Sequence, residues 1–382
     1  MMLLGLVLHS ALTYNVTYHG DAWSLKDPKT THIFSDSLVF LIHSFRMPIF
    51  FLVAGFFGAM LFYERQPIQM IKNRISRIVL PFIVFLFLLW PIIVFTFGYT
   101  NAVFSHQQDP FKIALEPFTS ISAFLPKTTS HLWFLYYLSL ITGTTVILGL
   151  VLKNKGEITQ AITKTFEWVI QKPLARIIVF SGLIFLTLTL LGTSMVEASV
   201  SLIPDLRTFT YYFIFYLIGW VLFKSKHHLD SFVRYDWTCT ILAIVLVAIQ
   251  GLTIQNSKLE PNGSSGILIL YSSVVVCLFM FGITGLFIRY GSKHSARMRY
   301  ISDSSYWVYL IHLPLTAIIP VFIWNLRLPA IGKFLIVLSI TTIICFFSYH
   351  FFVRNTFIGE FLNGRKYLRK TIKKRVANKE LS

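Results

Sequence analysis

The sequence predicts an all-α protein, a polytopic integral membrane bundle of about ten transmembrane helices, on three observations. The chain of 382 residues is 55% hydrophobic and only 13% charged, with a mean hydropathy of +0.67, whereas about a quarter of a soluble domain is charged. Apolar runs of about eighteen residues or more recur along its whole length, as a hydrocarbon core of about 30 Å requires of a helix. Basic residues crowd into every second connection between those runs. Because lipid cannot satisfy backbone amides, the runs must be helices rather than open strands.

The first span is read over 1–18, beginning "MMLLGLVLHSALTYN". It lacks the basic n-region and small-residue cleavage site of a signal peptide, so it counts as a helix. The others are read at 38–62, 78–99, 131–152, 174–192, 208–223, 237–254, 267–288, 304–323 and 332–353. The two longest connections, 100–130 and 153–173, are short enough to be re-entrant or surface segments. The membrane domain thus covers 1–355 and a basic cytoplasmic tail covers 356–382.

Of the 34 basic residues, Arg46 lies inside a span, 25 fall on one side of the membrane and 8 on the other. The positive-inside rule then puts both termini in the cytoplasm, which needs an even number of spans. The tail "GRKYLRKTIKKRVANKE" is expected to lie along the anionic inner leaflet. A net charge of +18 would suggest nucleic acid if it gathered on a soluble face, and it does not, so membrane lipids are the expected partner. Cys239, Cys277 and Cys345 all fall inside spans without a C-x-x-C pair, which argues against a disulfide framework and a zinc site built on them.

Most spans carry only Ser, Thr and Tyr, which bond locally or across helices. His9 stands midway along the first span, where a histidine either packs in the bundle or does chemistry. In "LIHSFRMPIFFLVAGFFGAM", His43 and Arg46 are three residues apart and share a helical face. That face must look into the bundle or a wet cavity, since a guanidinium toward lipid is costly; Arg46 either ties helices together or serves a reaction. In "QMIKNRISRIVLPF", Arg74 and Arg77 at i and i+3, with Lys72 beside them, either clamp phosphates or merely record topology. His131 opens its span beside Trp133 and Tyr136, as an interfacial aromatic belt would. In "DSSYWVYLIHLPL", Ser305, Tyr309 and His312 share a face, with Pro314 loosening the helix beyond them; His312 is open between packing and function.

The spans hold essentially no Asp or Glu, which argues against carboxylate-driven ion coupling. H-E-x-x-H, G-x-S-x-G, P-loop and G-x-G-x-x-G patterns are all missing, which removes metalloprotease, serine hydrolase, NTPase and dinucleotide readings.

Taken in order, "MLLGLVLHSALTY", "IHSFRMPIFFLVAGFFGAMLF", "KNRISRIVLP", "SHLWFL" and "SYWVYLIHLPL" resemble the bacterial acyltransferase 3 family, in its glucan biosynthesis protein C (glucan succinyltransferase) branch. The likeness runs from residue 2 to about 355. It implies ten spans and transfer of an acyl group, succinyl or acetyl, from cytosolic acyl-CoA to a hydroxyl of a periplasmic or cell-envelope glycan at the bacterial inner membrane. His9 matches the family's essential histidine, and Arg74 and Arg77 match the R-x-x-R proposed to hold the donor. His43 and Arg46 fall on its "HSFRM" stretch, which would line the reaction cavity. Members of the branch usually carry an arginine upstream of that histidine, and Met1 already stands inside the span; a translation start upstream is the expectation that follows.

On this reading His9 is the general base, and Arg46 with His43 stabilises the tetrahedral oxyanion. Arg74, Arg77 and Lys72 hold the coenzyme phosphates, while His131, Tyr309 and His312 contact the acceptor. Acyl-CoA enters as a donor substrate, no permanently bound cofactor is required, and no ligand spacing suggests a metal. A covalent acyl-histidine stays open beside direct transfer. The competing class is a transporter or flippase of a glycan or lipid-linked intermediate, with the same histidines and Arg46 along its path; a receptor or scaffold is the third.

Overall fold

A computed structural model describes residues 1–153, 155–257 and 265–364. The proposed leaflet-bound tail falls at 365–382 and lies outside the described residues. Among those described, nine helices are long and apolar enough to cross a membrane. They correspond one to one to the second through tenth predicted spans. We label the helices α1 (Met2–Leu12), α2 (Ile33–Arg65), α3 (Pro67–Phe104), α4 (Trp133–Leu152), α5 (Gly156–Gln171), α6 (Pro173–Leu191), α7 (Leu206–Lys224), α8 (Asp236–Ser257), α9 (Gly266–Gly291), α10 (Ala296–Ile318), α11 (Ala330–Ser348) and α12 (Phe357–Asn363). The strand content among the described residues is one isolated bridge, Thr128 with Ser201.

The first predicted span is corrected. Its helix stops at Leu12, six residues short of the expected end, because the next backbone groups bond to a returning loop instead. The carbonyls of Thr13 and Tyr14 accept from the amides of Asp27 and His32 at 2.8 and 3.0 Å. The Asp36 carboxylate, in the first turn of α2, accepts from the amides of Val16 and Thr17 at 2.8 and 2.9 Å. Thr13, Tyr14 and Asn15 are accordingly buried in a polar turn rather than extended into lipid.

The chain forms two compact units. The first comprises 37–73 and 127–294, hence most of α2 with α4 through α9. Its helices approach closely where side chains are small: a Cβ on Gly219 of α7 would stand 1.9 Å from the Leu52 carbonyl oxygen of α2. Small residues at such crossings let backbones meet, which is how membrane helices associate where lipid offers no hydrophobic drive. Aromatic rings fill the remainder, with Phe51 stacked on Tyr212 at 4.7 Å and Trp133 tilted against Tyr212 at 5.6 Å. Trp133 is buried in this cluster, so the belt expected of it is corrected: ring packing, not an interface with headgroups, fixes its place.

The connection 153–173 is a surface helix, α5, whose apolar residues Ile158, Ile162 and Trp168 stay exposed. The second unit comprises 2–36, 74–126 and 295 onward, and so contains α1, most of α3, α10, α11 and α12. α10 runs through Pro314 to Ile318 without a break. Near its N-terminal end, α3 contains a five-residue π-helical stretch, Ile75–Val79. The carbonyl of Arg77 within it accepts from the Tyr306 hydroxyl at 2.8 Å. An inserted residue frees backbone carbonyls, and here a side chain of α10 satisfies one.

Candidate active site

The second unit brings α1 against α10, and with it His9 against His312. Their ring centroids are 5.2 Å apart. Tyr309, one turn before His312, is 6.2 Å from that ring, so three of the residues singled out in the sequence meet in one place. His312 is almost wholly buried and His9 half-buried.

His312 has a defined tautomer. Its Nδ1 lies 2.8 Å from the Tyr309 carbonyl and 3.1 Å from that of Val308. A carbonyl only accepts, so Nδ1 carries the hydrogen and a neutral ring keeps its lone pair on Nε2. The same bonds fix the ring's orientation and make Nε2 the acceptor nitrogen of the neutral ring.

A residue the sequence did not single out completes the cluster. Trp23, on the loop between α1 and α2, packs on the other partner of the pair: its ring lies 5.3 Å from His9 and 5.1 Å, edge-on, from Phe97 of α3. The indole N–H donates to Thr13 Oγ1 at 3.1 Å. The loop itself is pinned by a wholly buried ion pair, Lys333 Nζ to Asp27 Oδ2 at 2.9 Å. Lys333 also donates to the Trp324 carbonyl at 2.8 Å, and Asp27 Oδ1 accepts the amides of Lys29 and Thr30. The loop residues Lys26 to Thr31 line an open surface pocket of about 330 Å³. Burial, and then the Asp27 charge, push the Tyr14 phenol well above its ordinary range, so it is a neutral hydroxyl.

Arg74 and Arg77 belong to the same unit but do different things. Arg77 Nη1 donates to the carbonyls of Glu360 and Phe361, at 3.0 and 3.4 Å, and so caps the C-terminus of α12. Gly364, at φ +76° just past that helix, lies against the guanidinium so closely that a Cβ there would overlap it. The donor role implied for Arg77 therefore competes with a cap that the sequence did not indicate. Arg74 is half-buried one helical step earlier.

The remaining expected site residues are carried by the first unit. On α2, His43 is exposed and Arg46 half-buried; His131 is buried at the start of the α4 span, and Lys72 is exposed near the boundary of the unit. Trp23 and the Asp27–Lys333 pair had no periodic signal to reveal them, since two of the three residues stand in a loop and Lys333 read only as a topology charge.

Residues 1–350 match the family described as "Acyltransferase domain", acyltransferase 3. The chain is 25% identical over 334 residues to the protein named "Glucans biosynthesis protein C" of an ETEC strain of Escherichia coli, covering 83% of this chain and 79% of that one. Its likeness to the protein of the same name from an EHEC strain of Escherichia coli has the same extent. No solved structure matches the chain. With nine spanning helices among the described residues and a family match over nearly its whole length, the chain belongs to the acyltransferase 3 family and is a multi-pass membrane acyltransferase.

Proposed function

We propose that the protein transfers an acyl group from cytosolic acyl-CoA to a hydroxyl of a periplasmic or cell-envelope glycan, with His9 as the base. The observation that carries the reading is the packing of His9 against His312 and Trp23 within a chain of this family. Neutral His9 takes the proton of the acceptor hydroxyl as its oxygen attacks the thioester carbonyl. When the tetrahedral intermediate collapses, the carbon–sulfur bond breaks and the histidine returns that proton to the departing thiolate. His312, its Nε2 lone pair set by the two carbonyls at Nδ1, accepts a hydrogen bond from the sugar, and the aromatic face of Trp23 bounds the acceptor. Arg46 and His43 are assigned to the developing oxyanion, and His131 and Tyr309 to the acceptor.

Arg74 and Lys72 attract the coenzyme phosphates, and Arg77 joins them when its carbonyl ligands on α12 yield. The names of the relatives support a glucan as the acceptor, and succinyl and acetyl both fit as the group carried. The charge asymmetry supports an inner-membrane protein with both termini in the cytoplasm.

Mass spectrometry of periplasmic and envelope glycans tests the reading. A deletion strain is expected to lose an ester-linked acyl mass from one glycan while that glycan's amount and location hold. A glycan that keeps its esters but changes compartment would instead make the protein a carrier.

A further inference from the structure

We propose that Glu167, His227 and His228 form a zinc site in the first unit that staples the end of α5 to the turn region Lys226–Tyr235. One donor atom from each of the three side chains lies within 4.8 Å of the other two. His227 Nε2 stands 3.6 Å from Glu167 Oε1. Two ligands at zinc bond lengths in a tetrahedron are about 3.4 Å apart, so that pair is already near bonding separation. The two imidazoles lie with ring centroids 4.1 Å apart.

Two imidazoles and a carboxylate make a donor set suited to zinc rather than to the all-oxygen shells of calcium or magnesium. Gln171, one turn beyond Glu167 on the same face of α5, is a fourth polar group at the site. Its amide donates to His228 Nε2 at 2.8 Å, so a lone pair of that ring already points toward α5. Zinc takes that lone pair in place of the amide hydrogen, and water fills its remaining position.

Three nearby lysines have other partners. Lys226 pairs with Glu64 at 2.8 Å, Lys224 lies over the Tyr63 ring, and Lys172 lies over the Trp168 ring. The segments beneath are tied together by a buried side chain. Arg176 is buried between the Phe232 and Phe281 rings and donates to the carbonyls of Ile170 and Ser231, joining the two segments that carry the ligands. The ligands thus project from two segments that Arg176 joins without any ion, which favours binding.

The test uses the full-length protein in detergent, purified without a histidine tag and stripped with EDTA. Zinc is titrated against a chromophoric chelator, and cobalt serves as a spectroscopic probe of coordination. The expected result is one equivalent of zinc, bound at least about tenfold more weakly by Glu167→Gln and by His228→Asn. Zinc should also raise the thermal midpoint of the wild type and leave that of His228→Asn where it was. Uptake that is equal in the wild type and in the His227→Ala, His228→Ala double variant, or uptake by neither, overturns the site. Folding of each variant is read independently from its elution profile, and the acyl-transfer reading is untouched by either result.

Discussion

Removing the ammonium of Lys333 is expected to destabilise the second unit by about 3 kcal/mol, at the lower end of the roughly 3–5 kcal/mol that breaking a buried ion pair costs. Both side chains of the Lys333–Asp27 pair are fully buried, so water cannot replace the lost partner. In Lys333→Met the volume is kept, the ammonium and its two bonds vanish, and Asp27 remains a buried carboxylate. The amides of Lys29 and Thr30 still donate to its Oδ1, which is why the lower end applies. Asp27→Asn in the Lys333→Met background removes the stranded charge and is expected to recover most of the loss. Denaturant titration in mixed micelles, followed by tryptophan fluorescence, measures all three proteins. If the single variant and the double variant are equally stable, the pair does not hold the loop as described. The same loop carries Trp23 onto His9, so Lys333→Met should also speed hydrogen exchange over residues 20–32 while α4 and α7 keep their protection.

Three more outcomes follow from local chemistry. Asp205 caps α7, accepting from the Thr208 amide at 2.8 Å and from its hydroxyl at 2.7 Å. Burial raises its pKa, but the Thr208 bonds and then Arg207 outweigh that, and the carboxyl stays below its ordinary value of 3.8. A depressed folded pKa gives stability that is present above the unfolded value and lost as pH falls through the folded one. The wild type should therefore lose stability relative to Asp205→Asn as pH drops below about 4, and parallel curves in a pH series of thermal midpoints would refute this. Arg77→Ala removes the cap of α12, worth about 1 kcal/mol at a partly exposed helix end, and should expose Phe357–Asn363 to limited proteolysis. Arg74→Ala should leave that segment protected while weakening acyl-CoA binding; equal cleavage in both variants would show that Arg77 does not hold α12.

The nine long helices were legible because hydropathy and charge alternation report a bilayer directly, and neither depends on tertiary contacts. The end of the first helix was not. "ALTYN" continues an apolar run acceptably, and what ends the helix is that the loop amides of Asp27 and His32 donate to the Thr13 and Tyr14 carbonyls. His9, Tyr309 and His312 could be nominated because each stands out chemically within an apolar span. Their meeting could not, since it depends on which helices pack together. Trp23 escaped notice for the opposite reason: in a loop an aromatic residue has no face from which its partners can be inferred. Arg77 reads in sequence as half of a phosphate clamp, and its bonds to the end of α12 come from a contact almost three hundred residues away along the chain.

In the proposed mechanism the His9 imidazole moves the proton in acyl transfer. A deletion strain carrying His9→Ala, with its membrane level matched to the wild type by immunoblot, decides it through the ester content of its glycans. Glycans as bare as those of the uncomplemented deletion are expected; wild-type acylation in that strain would exclude His9 as the base.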